Sequence, residues 1–190
     1  MVSRAAVWVD RRNVTQSIIN EEHLDHALVR ALAIVRYRLF VATADLKDLH
    51  VPQAGGAAVS LFELFVRLAE GGVDVRILHS GVPSGPLLER LKNGVPPGMT
   101  LRRCPRVHVK AIIVDGRAMY LGSANLTGAG IGAKSRWRRN FEAGIWTEDL
   151  TVIDRVADML DDVWDGRECR SCGRKKHCPE PLEEPDLASS

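Results

Sequence analysis

Residues 108–125 hold a histidine, a lysine and a small polar cluster at spacings that suit chemistry on a phosphate group. The stretch reads His-x-Lys, four residues, Asp, six residues, Gly-Ser-x-Asn. His108 and Lys110 are two positions apart on a predicted strand, so both side chains point to the same face. An imidazole can attack phosphorus near neutral pH to form a phosphohistidine, and a neighbouring ammonium neutralises charge that develops on the phosphate oxygens. These two residues are the leading candidates for catalysis.

The segment that follows supplies hydrogen-bond donors for the same phosphate. Ser123 offers a hydroxyl, Asn125 offers a side-chain amide, and the small residues around them let backbone N–H groups approach closely. Small polar residues also form turns for structural reasons alone, so that alternative stays open for both. Asp115 precedes Gly116 in a dipeptide that favours a tight type I′ hairpin, and we expect its role to be architectural.

The elements that must position these residues alternate between helix and strand. Apolar residues at helical spacing predict helices over 23–35, 58–69 and 150–164. Buried or alternating patterns predict strands over 37–44, 73–77, 109–114, 117–121 and 141–146. Between them, the stretch 81–98 is rich in Pro and Gly. This interleaving predicts an α/β fold with helices layered around one sheet.

The motif resembles the signature of the phospholipase D superfamily, His-x-Lys-x4-Asp-x6-Gly-Ser-x-Asn, and the match is complete. The resemblance implies a phospholipase D-like α-β-α sandwich, in which a mixed, mostly parallel central sheet is flanked by helices. We expect residues 1–165 to form this catalytic domain. Asn140-Phe-Glu142 resembles the family's later Asn-x-Glu, whose acid hydrogen-bonds and orients the catalytic imidazole. That role is carried to Glu142 by resemblance, although an acid at a strand edge can also be structural.

The chemistry implied by the resemblance needs two histidines on opposite sides of the phosphate. One attacks phosphorus, and the other protonates the leaving oxygen and then activates water. The chain carries the motif once and is too short for two such domains. The resemblance therefore implies a symmetric homodimer with one composite site at its axis, in which neither subunit is active alone. It also implies that catalysis needs no metal.

Positive charge around the motif predicts a polyanionic partner. Between Gly98 and Asn140 lie nine Lys or Arg residues and one acid, whereas the whole chain has a net charge of only +2. Cations can follow a phosphate backbone, and an exposed indole can stack on a base. The candidate nucleic-acid-binding residues are Arg106, Lys134, Arg136, Trp137, Arg138 and Arg139. The alternative is a solvated basic loop around a core tryptophan.

These features together predict a phosphodiesterase that cleaves DNA or RNA. The alternatives are a phospholipid phosphodiesterase or phosphatidyltransferase, which the same motif supports, and a non-catalytic nucleic-acid-binding module. No apolar run reaches the roughly 18 residues that span a membrane, and the N-terminus does not resemble a secretory signal. We therefore expect a cytoplasmic location and no membrane partner.

The C-terminal part of the chain predicts a metal site. Cys169 and Cys172 form a Cys-x2-Cys pair, a spacing that lets two thiolates share one ion, and Cys178 follows in a segment, 166–178, with almost no apolar content. Cys104 or His177 would complete a tetrahedral site, and Cys104 is favoured because the adjacent His177 and Cys178 seldom both reach one ion. We expect structural zinc, with a [4Fe–4S] cluster as the alternative and unligated thiols or a disulfide also open. Residues 179–190 are acidic and proline-rich, which predicts a flexible tail.

Overall fold

The structure is a computed structural model that describes residues 15–53, 56–83, 85–174, 176 and 178. Its strands are β1 Thr15–Ile19, β2 Arg38–Thr43, β3 His50–Pro52, β4 Ala58–Ser60, β5 Asp74–His79, β6 Met99–Arg103, β7 Lys110–Val114, β8 Ala118–Gly122 and β9 Ala143–Thr147. β3 and β4 pair with each other, and the remaining strands form one sheet in the order β1-β9-β8-β7-β2-β5-β6. The mixed sheet flanked by helices that the sequence predicts is confirmed.

The expectation that this sheet is mostly parallel is wrong. Within the described sheet, only the pairs β2–β5 and β5–β6 are parallel, and the other four pairs are antiparallel. The cause lies in the connections, because a short turn can only reverse the chain, whereas parallel neighbours need a crossover. Residues 115–117 join β7 to β8 directly, and helices provide the crossovers on either side of β5.

The helices begin and end at recognisable signals. A π-helical stretch, Leu24–Val29, runs directly into α1, Arg30–Ile34, and the later helices are α2 Leu61–Glu70, α3 Pro86–Lys92 and α4 Leu150–Trp164. Ser60 caps α2 by accepting the Glu63 N–H, and the Asp149 carboxylate caps α4. α3 lies inside the Pro/Gly-rich stretch and was not predicted; it starts at a proline, which a first helical turn tolerates because that N–H has no partner there.

Two apolar layers hold the helices against opposite faces of the sheet. On one face the π-helical stretch, α2 and α3 pack on alternate strand residues such as Val41, Ile77 and Ile112. On the other face Ile153, Leu160 and Trp164 of α4 pack on a second set of strand residues that includes Phe40, Leu78 and Ile113. Successive strand residues face opposite sides, so the strands β2, β5 and β7 are buried on both faces of the sheet. They form a firm base for the residues that lie next to their ends.

None of the described helices is both long and apolar enough to cross a membrane. The predicted flexible tail at 179–190 and the candidate ligand His177 lie outside the described residues.

Candidate active site

The hairpin β7–β8 is fixed at its turn by Asp115. Asp115 and Gly116 both have positive φ, 52° and 65°, as a type I′ turn requires. The Asp115 carboxylate accepts the backbone N–H groups of Arg36, Tyr37 and Arg38 at 2.8–3.0 Å, which ties the turn to the start of β2. This aspartate therefore anchors the far end of the strand that begins at Lys110, and its carboxylate is occupied by the scaffold.

His108 and Lys110 lie together at the opposite end of β7. His108 is exposed in the lead-in to the strand, whereas Lys110 is buried, with only 7% of its surface exposed. The lysine Nζ donates to the His108 carbonyl at 2.7 Å and lies 3.2 and 3.3 Å from the ring atoms Nε2 and Nδ1. The geometry thus pairs an accessible imidazole with a positioned cation.

The cation of Lys110 is held in an unfavourable environment. Burial lowers the pKa of this ammonium group below its ordinary value of 10.5, and the negative charge of Glu142 opposes that shift. A bound anion such as a phosphate would favour the charged form in the same way. Lys110 is therefore placed to gain more from an anionic ligand than a solvated lysine would.

Ser123, Asn140 and Glu142 form one hydrogen-bonded group beside the motif. The Ser123 hydroxyl donates to Glu142 Oε2 and accepts the Ala143 N–H at 3.1 Å. The Asn140 amide donates to Glu142 Oε1 at 3.0 Å. Within the described chain Glu142 makes no hydrogen bond to His108, whose only recorded partner is Lys110, so the imidazole-orienting role stays a prediction.

Asn125 is oriented by the end of β2. Its Oδ1 accepts the backbone N–H groups of Ala44 and Asp45 at 3.1 and 3.2 Å and lies 3.3 Å from the Thr43 hydroxyl. Because two N–H donors fix the oxygen, the opposite Nδ2 must face away from that backbone. Among the described residues Nδ2 has no partner, so it can donate to a ligand.

A tyrosine that sequence reasoning did not single out supports this turn. Tyr120 is buried under the turn, and its hydroxyl accepts the Ala124 N–H at 3.3 Å. A side chain at Gly122 would collide with that hydroxyl and would lie 2.8 Å from the Gly144 Cα. The glycine of the Gly-Ser-x-Asn sequence is therefore needed for close packing, which spacing alone could not reveal.

The predicted basic loop lies beside this group and exposes its aromatic residue. Trp137 is 89% exposed, so the alternative of a core tryptophan is ruled out. The Arg136 guanidinium lies 5.5 Å from the Trp137 ring centroid, and Lys134 and Arg138 are also exposed. Arg139 differs, since it forms an ion pair with Glu21 at 3.0 Å and is mostly covered.

Phe141 is a second exposed aromatic that the sequence analysis passed over. It is 96% exposed and directly precedes Glu142. Its signal was visible in the sequence as an apolar residue next to a candidate acid, but the predicted strand over 141–146 assigned it to the sheet. In the structure β9 begins only at Ala143, which leaves Phe141 outside the ladder.

A groove of about 470 Å³ lies on the other side of His108. It lies between the stretch 104–109 and the last turns of α4, and Cys104, Cys169 and Cys172 are among the residues that line it. None of the four cysteines forms a disulfide, and all four are half-buried. Arg106 also lines the groove and is exposed, and its charge opposes the rise in the Cys169 pKa that burial and the neighbouring thiols cause.

Among the described residues no three His, Cys, Asp or Glu side chains stand at the spacing of metal ligands. Burial raises the pKa of the Cys169 thiol, and the charges of the Cys104, Cys178 and Cys172 thiols raise it further. The cysteines predicted to share an ion are therefore gathered in one place, without coordination geometry.

The sheet order, the exposed histidine beside a buried lysine and the donors after β8 define a phospholipase D-like domain. The sequence matches the family model described as cardiolipin synthase, PLD-like domain, over residues 42–164. Because this match covers well over half of the chain, the protein belongs to that family. A search of curated proteins returned no significant match.

Solved structures with the same fold include three instructive neighbours. NucT from Helicobacter pylori is 14% identical, with a TM-score of 0.58, and the match covers 79% of this chain and 94% of NucT. Nuc from Salmonella typhimurium, a phospholipase D family member, is 20% identical with a TM-score of 0.60 over 80% of this chain and 95% of Nuc. The archaeal chromatin protein TrmBL2 is 17% identical with a TM-score of 0.50 over 80% of this chain and 52% of its own. At these identities the likeness concerns the fold.

Proposed function

We propose that the protein is a phosphodiesterase that cleaves DNA or RNA by way of a phosphohistidine on His108. The observation that carries this proposal is the pairing of an exposed imidazole with the buried Lys110 ammonium, 3.2 Å from ring to Nζ. The Asn125 Nδ2 donor and the small-residue turn at 122–124 lie on the neighbouring strand end, as β7 and β8 pair Lys110 with Gly122. Charge that develops on the phosphate oxygens would meet donors that are already in place.

The reaction divides into two balanced steps. The His108 nitrogen forms a bond to phosphorus as the bond to the leaving oxygen breaks, and a second imidazolium gives its proton to that oxygen. In the second step water, deprotonated by the same second imidazole, attacks phosphorus and the P–N bond breaks. Lys110 offsets the added negative charge in both steps.

The second imidazole is proposed to come from a second copy of the chain. Within the described residues no other histidine hydrogen-bonds to the side chains of this group: His79 is fully buried, and so is His23, whose ring packs edge-on against Tyr120. A symmetric homodimer would bring His108 of the partner subunit to the far side of the phosphate. Each chain then provides half of a site.

A nucleic-acid substrate is favoured by the surface next to the site. The loop over 133–141 presents Lys134, Arg136 and Arg138 together with the exposed rings of Trp137 and Phe141. The base of the loop is anchored, since the preceding Ile131 is fully buried and the Asn140 N–H donates to the Ala129 carbonyl at 3.1 Å. Exposed rings among cations suit unpaired bases on a phosphate backbone.

The test is cleavage of labelled single-stranded oligonucleotides by the wild-type protein and by His108→Asn. We expect the variant to lose more than about 10³-fold in rate, because nucleophile and acid–base roles are both removed, while its circular dichroism and oligomeric state stay unchanged. Undiminished cleavage by the variant would contradict the mechanism. His108-dependent turnover of cardiolipin or phosphatidylglycerol vesicles in place of oligonucleotides would instead favour a lipid substrate.

A further inference from the structure

Cysteines from two distant parts of the sequence meet beside the site. Cys104 follows β6, where its N–H donates to the His79 carbonyl at 2.8 Å. Cys169 and Cys172 follow α4, and together with Cys104 they line the groove that His108 also lines. The Cys178 thiol lies close enough for its charge to act on Cys169. Nothing in the proposed phosphodiester chemistry uses these thiols.

The backbone around the Cys-x2-Cys pair forms turns, and one of its N–H groups donates to a cysteine sulfur. The Cys169 N–H donates to the Gly166 carbonyl at 2.9 Å and the Cys172 N–H to the Cys169 carbonyl at 3.2 Å. The Arg174 N–H then donates to the Cys172 sulfur at 3.4 Å. A backbone N–H that points at sulfur stabilises the thiolate, which is the form that binds metals.

Little of this segment is covered by the rest of the fold, although Cys169 packs against the apolar layer that includes Leu160 and Trp164. No residue in 165–174 is buried. The Arg174 guanidinium donates to the Pro105 carbonyl at 3.2 Å, and Arg167 pairs with Asp162 and Asp165 on the surface, where ion pairs contribute little. A segment without a core of its own needs a covalent or metal link to stay ordered. Cys104, Cys169, Cys172 and Cys178 form no disulfide, so a disulfide does not supply that link.

We propose that the thiols of Cys104, Cys169, Cys172 and Cys178 bind one zinc ion, which fastens the segment after α4 to the stretch that carries His108. Four sulfur donors with one Cys-x2-Cys pair suit a closed tetrahedral zinc site. The described thiols are not yet at ligand spacing, so binding draws them together. The ion has a structural role, because a closed site leaves no position for substrate.

Because Cys104 lies close to His108 in the sequence, the proposed zinc site would affect the proposed active site. Cys104 lies four residues before His108, with Arg106 between them. Zinc binding would therefore fix both the tail and the approach to the proposed active site. Loss of the ion should free the segment after Trp164 while the sheet and its two apolar layers remain folded.

The experiment uses the full chain purified without chelators. Elemental analysis should give one zinc per chain, and growth with cobalt should give the intense thiolate-to-cobalt absorption bands of a tetrahedral sulfur site. Cys169→Ser and Cys178→Ser should each lose most of the zinc. Glu168→Gln is the matched control, since it also lines the groove and should keep the metal.

Cys104→Ser distinguishes the four-thiol site from one completed elsewhere in the tail. Retention of a full zinc by this variant would overturn the proposal, as would wild-type protein without zinc, or with iron and acid-labile sulfide. If a variant does not fold, the same question is put to the wild-type protein by limited proteolysis with and without a strong chelator. Zinc removal should open cleavage sites after residue 164 with the far-ultraviolet spectrum preserved, and an unchanged cleavage pattern would count against the proposal.

Discussion

Lys110 is a buried cation whose proposed role needs its charge. Because burial lowers its pKa, the ammonium should lose its proton at a lower pH than an ordinary lysine, and the rate should fall as pH rises through that lowered pKa. Lys110→Arg keeps the positive charge at all accessible pH values. We expect this variant to be slower at neutral pH but to lack the alkaline decline. The measurement is the pH profile of kcat/KM for both proteins, and identical alkaline declines would show that Lys110 is not the titrating group.

Substitutions of the exposed residues Trp137 and Phe141 test whether the substrate is a nucleic acid. In the His108→Asn background, which allows binding without cleavage, replacing either ring by alanine should weaken binding of a single-stranded oligonucleotide about 5- to 100-fold, since stacking contributes roughly 1–3 kcal/mol per base. Binding to a duplex of the same sequence should change less. Fluorescence anisotropy measures both.

The matched control for these variants is Tyr37→Ala. Tyr37 is 76% exposed but lies at the start of β2, beside the Asp115 turn and away from the loop. The Tyr37→Ala variant should bind the single-stranded oligonucleotide with unchanged affinity. Equal losses in all three variants, or none in Trp137→Ala and Phe141→Ala, would contradict the proposed stacking surface.

At the scale of elements, the β7–β8 hairpin depends on one carboxylate. Asp115→Ala removes an acceptor of three backbone N–H groups and places a side chain less tolerant of positive φ in the turn. We expect a loss of about 1–3 kcal/mol in the free energy of unfolding, since these N–H groups are partly solvated and one turn is strained. Urea denaturation measures it. Asp158→Ala, on an exposed face of α4, should stay within about 0.5 kcal/mol of the wild type.

The elements that the sequence predicts are those with a strong local signal. α2 and α4 have one apolar face each, and the hairpin has its Asp-Gly dipeptide, so their positions follow from spacing. β1 and β6 were not predicted, because each has mixed exposure and is defined by pairing with strands far along the chain. Strand direction is likewise set by connections and not by composition, so the residue pattern could not correct the mostly parallel sheet that the resemblance implied.

Some residues of the candidate site could likewise be predicted from the sequence, and others could not. The types and spacing of His108 and Lys110 were enough to place both at one strand end. Phe141 is exposed because β9 begins only at Ala143. Tyr120 is buried because its side chain lies on the inward face of β8. Asn140, one partner of Glu142, belongs to the same Asn-x-Glu element, whereas the other partner, Ser123, comes from a separate segment and no spacing rule gives that contact.

Across the whole molecule, positive charge is concentrated in the part of the chain that builds the candidate site. The net charge is only +2, yet nine cations and one acid lie between Gly98 and Asn140, the part of the chain that builds the site. Two apolar layers make the sheet rigid, and the functional residues are carried at strand ends and on the loop beyond β8. The described part of the chain nevertheless supplies one exposed histidine to the site, where the proposed chemistry needs two.

A mixed dimer tests that central claim most directly. Wild-type and His108→Asn chains with different affinity tags are co-expressed, and dimers that carry both tags are isolated by two successive purifications. If each site needs His108 from both subunits, the mixed dimer should cleave an oligonucleotide at no more than about 1% of the wild-type rate, because every site lacks its nucleophile or its acid. Half of the wild-type rate, or failure to recover any doubly tagged dimer, would contradict the composite site.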